Sequence, residues 1–320
     1  MKIGNLQLSG HASLAPMAGV ADRAFRELCM SFGAAACTGE MVSVKGIQYG
    51  DRKSDLLMEV SDRERPVGIQ LFGSNPEDFA RAVPQALLHN PDFIDINMGC
   101  PAPKVTKNGG GSTLMKTPER CGEIVAAVVR ETNLPVTVKI RRGWDEAHSN
   151  AVEVAKICEQ AGAAAITVHG RTREQMYAPP VNMETIRLVK EAVTIPVIGN
   201  GDVTDGASAQ VMYQTTGCDL VAVGRGALGR PWVFAEINAA LSGKHFTEPT
   251  IEEKMEIMLR HAAKICAYKG VRIGIREARK HAIWYTKGLR GKAAWRRELS
   301  QIETVDELKR ISARIVEENR

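Results

Sequence analysis

The chain has 320 residues, 44% of them hydrophobic and 25% charged, with a formal net charge of +5, the proportions of an ordinary globular protein. No run approaches the ~18 apolar residues of a membrane span, and the opening M-K-I-G-N-L-Q-L-S-G-H lacks the apolar core of a secretion signal. A cytoplasmic protein with no membrane partner is expected.

In chain order, Ala12–Met17 is the first of eight short β-rich runs, and Asp22–Phe32 after it has amphipathic helical spacing. Ala34–Gly39 ends beside Glu40. Pro66–Leu71 carries Gln70 and leads to a helix over Pro76–Leu88. Phe93–Asn97 is followed by Gly99-Cys100-Pro101, a glycine-rich N-G-G-G-S-T at 108–113 and a helix over Pro118–Glu131. Val136–Ile140 carries Lys139 and runs into Arg141, with a helix over Ser149–Ala161 behind it. Ala164–His169 precedes a helix over Met183–Ala192. Pro196–Gly199 leads into Asn200-Gly201-Asp202, and Leu220–Gly224 into Arg225. The runs do not alternate with polar residues, as expected for strands buried on both faces. Eight of them alternating with helices predict a parallel (β/α)8 TIM barrel, with a doubly wound open sheet as the alternative. Past residue 243 strand signals cease. Thr250–Tyr268, Gly274–Thr286 and Val305–Glu318 read as helices, so the chain is expected to divide into a barrel, 1–242, and a small all-α domain, 243–320.

Barrel chemistry gathers at the C-terminal strand ends. Here those ends collect Pro16, Met17, Glu40, Gln70, Asn97, Cys100, Lys139, Arg141, His169, Asn200, Asp202 and Arg225. The opposite ends offer nothing comparable. The last two tips, P-V-I-G-N-G-D and L-V-A-V-G-R-G-A-L-G, have the glycines and the cation of a phosphate cradle. Gly224, Gly226 and Gly229 also spell a dinucleotide fingerprint, but the motif closes the last strand and is followed by R-P-W-V-F and a helical region, where a Rossmann unit needs a further parallel strand. Lys139 fits either a Schiff-base lysine or a fixed cation beside an anionic ring.

The seven cysteines are scattered with no C-x-x-C pair, which argues against disulfides and against a metal site. Cys100, set between Gly99 and Pro101 just past a strand, is displayed over the barrel mouth. A thiol of ordinary pKa ~8.5 is protonated at neutral pH, so it serves as a general acid without a partner. As a nucleophile it needs a base, and no histidine lies within ten residues.

Within Lys264–Arg297 stand eleven basic residues and a single acidic one, Glu277. A neutral body with a basic appendage points to a polyanionic partner. Tyr268, Trp284, Tyr285 and Trp295 in the same stretch suit base stacking.

Seven segments together resemble the tRNA-dihydrouridine synthase family in its bacterial B-type branch. They are A-P-M-A-G-V-A-D-R-A-F-R (15–26), N-x-G-C-P-x-x-K-V (97–105), V-K-I-R-x-G-W (138–144), H-G-R-T-R (169–173), G-N-G-D-V (199–203), G-R-x-x-x-G-R-P-W (224–232) and R-K-H-x-x-W-Y (279–285). The resemblance implies an FMN at the barrel mouth, reduced by NADPH or NADH. Pro16, Met17 and Ala18 would pack along its ring, Gln70 and Lys139 would meet its polar edge, and His169 would lie near the ribityl-phosphate. Asn200, Gly201, Asp202, Gly224 and Arg225 would hold the phosphate end. Cys100 would give a proton to C5 of a tRNA uridine, one in the D-loop, as hydride reaches C6. Asn97 and Arg141 would contact that substrate, and Arg272, Arg276, Arg279, Lys280, Trp284 and Lys287 the rest of the tRNA. A monomer without metal is implied. Where family members continue past H-G-R-T-R-E-Q-M-Y with Ser-Gly, a small residue and an Asp/Asn-Trp pair, this chain has A-P-P-V-N-M at 178–183.

Three rivals stand beside this reading. A dihydroorotate-dehydrogenase-like enzyme would act on a free pyrimidine, for which the basic tail has no use. A Schiff-base aldolase would use Lys139 without flavin. An RNA-binding protein or chaperone on a retired barrel would not need Cys100 at all.

Overall fold

A computed structural model describes residues 1–320. Eight parallel strands close into a barrel in the expected order: β3 (Ala12–Leu14), β4 (Cys37–Ser43), β5 (Val67–Phe72), β6 (Phe93–Asn97), β7 (Val136–Gly143), β8 (Ala165–Thr172), β9 (Val197–Asn200) and β10 (Leu220–Val223), which pairs back onto β3. The TIM barrel is thus present and the open-sheet alternative is excluded. A short hairpin, β1 (Lys2–Ile3) and β2 (Leu6–Gln7), precedes it. The hairpin residue Ile3, with Leu8 just beyond it, packs against the strand starts Phe93, Ala165 and Leu220 and closes the N-terminal end like a floor. A cavity of about 30 Å³ between floor and mouth is lined by Ser13, Asp95, Thr137, Lys139 and Thr167 among others.

Several boundaries differ from those expected, for physical reasons. β3 stops at Leu14, because Pro16 has no N–H for the ladder and the chain turns back on itself, the Val20 and Ala21 amides donating to the Met17 carbonyl. β7 and β8 run on to Gly143 and Thr172, carrying Arg141 and Arg171 on strand rather than loop. The register sets Gln70 beside Asp95, Asn97 beside Lys139, Arg141 beside His169 and His169 beside Asn200.

The tail is all helical: Ile251–Lys269, Val271–Tyr285, Lys292–Leu299 and Val305–Asn319. Capping boxes at Thr250/Glu253 and Thr304/Glu307 start the first and last of these. The second helix begins at Val271, ahead of the expected Gly274, with only Gly270 separating it from the first. The barrel and its helices bury a core of 52 residues. The tail forms another of 19, to which the barrel contributes Ala24 and Leu28 of the helix Arg23–Ser31, and Trp232. Tyr285 and Trp295 belong to that second core and are buried, so the expected stripe of stacking aromatics does not form. Their large apolar area holds the tail together instead.

Polar contacts at Glu27 and at Lys269 help fix the tail to the barrel. Glu27 accepts hydrogen bonds from Lys264 Nζ, from the Tyr268 hydroxyl at 2.7 Å and from the Ser61 hydroxyl at 2.8 Å. Lys269 bridges Asp22 and Glu277 at 3.0 and 2.6 Å. In addition, Gly229 (φ +68°), after the last barrel strand, lies so close to Trp284 that a Cβ there would sit 2.3 Å from its carbonyl carbon.

Candidate active site

Cys100 is the one cysteine that is not buried. Burial drives the thiols of Cys29 and Cys158 well up and that of Cys121 to about 12, so those stay as inert apolar fillers. The Cys100 turn is held from three sides. Asn97 Oδ1 accepts the Cys100 and Gly99 amides at 2.9 and 3.2 Å. The Cys100 carbonyl accepts from the Ser112 amide and hydroxyl, each at 3.1 Å. Arg141 Nε donates to the Gly99 carbonyl at 2.9 Å. The glycine-rich run is therefore a packed brace beneath the turn: Gly110, Gly111 and Ser112 are buried, and a Cβ on Gly111 (φ +58°) would meet the Cys100 carbonyl oxygen at 2.6 Å.

Cations ring the mouth. Lys139 Nζ donates to Asn200 Oδ1 at 2.9 Å, and Asn200 Nδ2 to the Ala222 carbonyl at 2.8 Å. Burial, together with the nearby Arg141 charge, lowers the Lys139 ammonium to about 8. Arg141 is 2% exposed and binds the carbonyls of Thr172 and Met176 besides that of Gly99, so its first task is bracing loops. His169 is buried and held neutral, first by burial and then by Lys139, Arg141, Arg171 and Arg225. Its Nε2 accepts from Arg171 Nη1 at 3.2 Å.

Arg171 carries no role in the sequence reading, yet it organises this rim. It is 1% exposed, donates to both Asp202 oxygens at 2.7 and 2.5 Å, and reaches the Ala178 carbonyl at 2.7 Å. The period-2 alternation of a strand, which puts residue 171 on the face of His169, was the available signal. Asp202 (φ +54°) also accepts the Val181 amide at 3.1 Å. The divergent 178–183 stretch is thus stapled to the mouth by Arg171, Asp202 and Gln175, whose Nε2 binds the Ala178 and Pro180 carbonyls. Tyr177, exposed, stands between the guanidinium groups of Arg141 (5.6 Å) and Arg225 (4.9 Å).

The remaining expected residues fall into two groups. Pro16, Met17 and Ala18 form the loop after β3; a Cβ on Gly224 would lie 3.7 Å from Met17 Sδ. The following residue, Gly19, donates its amide hydrogen to Glu40, and its carbonyl accepts from Lys280 of the tail. Gln70 is buried and bonded to Asp95 and Asn97. In the tail, Arg272, Arg276 and Lys287 are exposed. Arg279 binds the Ile302 carbonyl at 2.8 Å, and Trp284 is half-buried, edge-on to His281 at 5.1 Å. Arg279, Lys280 and Trp284 thus make contacts within the protein.

The mouth fits an anionic group. Lys139, Arg141, Arg171 and Arg225 outnumber Asp202, the one carboxylate that pairs with them. Gly201 (φ +124°), where a Cβ would meet Val181 Cγ2 at 2.6 Å and His169 Cδ2 at 3.1 Å, leaves backbone open beside them. Fold and site define a (β/α)8 barrel with an anion-binding mouth and one displayed thiol.

The dihydrouridine synthase (Dus) family model matches residues 13–319, and the chain belongs to that family. It is 40% identical to tRNA-dihydrouridine synthase B of Pseudomonas aeruginosa, over 96% of this chain and 92% of that protein. The Vibrio cholerae protein of the same name is 41% identical over 96% of each chain, and that of Proteus vulgaris 42% over 96% of this chain and 95% of its own. Among solved structures, histamine dehydrogenase from Rhizobium sp. 4-9 superposes with a TM-score of 0.56 at 14% identity, over 88% of this chain and half of that one. This last is a likeness of fold alone.

Proposed function

We propose that the chain is an FMN-dependent tRNA-dihydrouridine synthase of the B type, taking electrons from NADPH or NADH in the cytoplasm and acting as a monomer on a D-loop uridine. Pro16, Met17 and Ala18 would flank the FMN ring, Gln70 and Lys139 would meet its polar edge, and His169, Asn200, Gly201, Asp202, Gly224 and Arg225 would surround its phosphate end. When bound and reduced, FMN supplies the hydride that adds to C6 of uracil. The Cys100 thiol delivers the proton to C5 from the other face, and the thiolate left behind regains a proton from solvent. Lys139 provides a fixed positive charge in a dry site, where it acts more strongly than in water. Asn97 and Arg141 hold the turn that carries the thiol and border the space for the base.

The target base must leave its stack to enter a barrel mouth, which requires a grip on the flanking RNA. Arg272, Arg276 and Lys287 are exposed and form no ion pair, as phosphate contacts require. Lys280, Arg279 and Trp284 serve the same end indirectly by fixing the tail and the Met17 loop. The observation that carries this reading is the single displayed thiol, held over a cationic mouth by a hydrogen-bonded turn.

The test is the anaerobic visible spectrum of the purified protein before and after NADPH, followed by unmodified tRNA. A flavin band that bleaches and returns only with tRNA is expected; return with a free pyrimidine reassigns the substrate, and no band after adding FMN overturns the mechanism. Cys100→Ala should still bind tRNA and bleach with NADPH while losing at least about 10²-fold in tRNA-driven return, within the range for removing a general acid.

A further inference from the structure

Asp95 sits on β6 two residues before Asn97, and its side chain, 4% exposed, faces the barrel interior. Its carboxylate accepts hydrogen bonds from the Thr137 hydroxyl at 2.5 Å and from Gln70 Nε2 at 2.6 Å. Gln70 Oε1 accepts from Asn97 Nδ2 at 2.9 Å. Asn97 Oδ1 in turn accepts the Cys100 and Gly99 amides. One unbroken line of hydrogen bonds thus joins β7, β6 and β5 to the backbone of the Cys100 turn.

The direction of that line is set from its buried end. An ionised carboxylate has no proton to give, so Gln70 must turn its NH2 toward Asp95. That leaves the Gln70 carbonyl for Asn97, which turns its own NH2 to Gln70 and its carbonyl to the turn. Reversing one amide alone would bring two oxygens or two NH2 groups face to face among buried side chains, where the mismatch is costly. Burial raises the Asp95 carboxyl to about 6, against the Thr137 and Gln70 hydrogen bonds and the Lys139 charge that pull it down, so the group is ionised at pH 8.

We propose that Asp95 is a positioning residue whose carboxylate sets the polarity of a Gln70–Asn97 amide relay and so holds the Gly99–Cys100 turn that presents the thiol. The same relay decides which edges of Gln70 and Asn97 face the mouth. Its catalytic consequence rests on Cys100 being the proton donor; its structural content does not.

Isosteric variants of the holoenzyme test it at pH 8. Asn97→Asp sets two carboxylates competing for the single Gln70 NH2 group and should loosen the turn. The double variant Asp95→Asn/Asn97→Asp carries the same charge as the wild type but runs the line backwards. The amide at position 95 then donates to Gln70 Oε1 and accepts from Thr137, Gln70 donates to the carboxylate at 97, and that carboxylate still accepts both turn amides. Two quantities are read: hydrogen exchange of the Gly99 and Cys100 amides, and flavin reoxidation by tRNA compared with its reduction by NADPH.

Asn97→Asp should speed exchange and slow reoxidation at least tenfold, and the double variant should return exchange at both amides to within about threefold of wild type, a coupling that additive damage cannot produce; its turnover should stay impaired, because the reversed line presents the other edge of Gln70 to the mouth. Exchange in the double variant as fast as in the single one overturns the proposal, as does unchanged exchange in Asn97→Asp. Should a variant fail to fold, wild-type exchange at the two amides as fast as in an unstructured peptide overturns it as well. If Cys100→Ala leaves reoxidation intact, the proton-donor reading falls while the exchange data still decide the relay.

Discussion

Lys139 is a cation that gives up its proton with unusual ease, because burial and Arg141 both penalise its charged form and bring it to about 8. An anion placed beside it favours that charged form. Binding of FMN to the apoprotein should therefore weaken as pH rises above about 8, by up to tenfold per unit for one linked proton. A fluorescence titration of FMN between pH 7 and 9.5 checks this, and Lys139→Met should flatten the slope. At the level of single residues, the display of Cys100 and the cationic tips of Lys139 and Arg225 were legible, since each follows from type and position at a strand end. The engagement of Arg171 with Asp202, of Gln70 with Asp95 and of Arg141 with three carbonyls was not. Each joins different strands or loops across 25 to 42 positions, and no local pattern specifies which neighbour a buried donor meets.

Secondary-structure elements meet at a few backbone positions that admit no side chain. Gly111 supports the Cys100 turn and Gly229 receives the end of the helix Val271–Tyr285, both at positive φ. Gly111→Ala should cost ~1–3 kcal/mol from backbone strain alone and slow tRNA-driven reoxidation more than NADPH-driven reduction. Gly229→Ala should instead loosen the tail, and limited proteolysis within 243–250 should accelerate while FMN stays bound. Strand order and the helical tail were readable from periodicity. The glycine-rich run at 108–113 was not, because the same composition suits an open loop or a close-packed brace, and only the carbonyl of Cys100 above it decides.

For the whole molecule, the contact between barrel and tail depends on groups that resist or require charge. His261 and His281 are buried together, 4.5 Å apart, with Phe25 of the barrel stacked at 5.3 Å on the first. Burial lowers His261 to about 4 and holds His281 well below the usual imidazole range. Folded, they bind protons less readily than unfolded, so their share of stability is present above pH ~6.5 and lost as pH falls toward 4. Glu27 acts lower down: burial raises it, but Lys264, Tyr268 and Ser61 outweigh that and hold it at about 2, so its contribution, present above ~4.5, disappears as pH falls toward 2. Urea unfolding between pH 7 and 4.5 should show stability falling with acid, and His281→Phe should reduce the slope.

The hairpin floor under the barrel makes the reaction chamber a vessel with a single doorway. On the proposed function, nicotinamide donor and RNA would pass the same threshold, and neither would enter while the other stood in it. Turnover would then be a matter of alternating tenancy: the donor would leave its electrons behind and depart before the RNA arrived. Reciprocal plots of rate against tRNA at several donor concentrations should run parallel rather than converge, the mark of a ping-pong sequence.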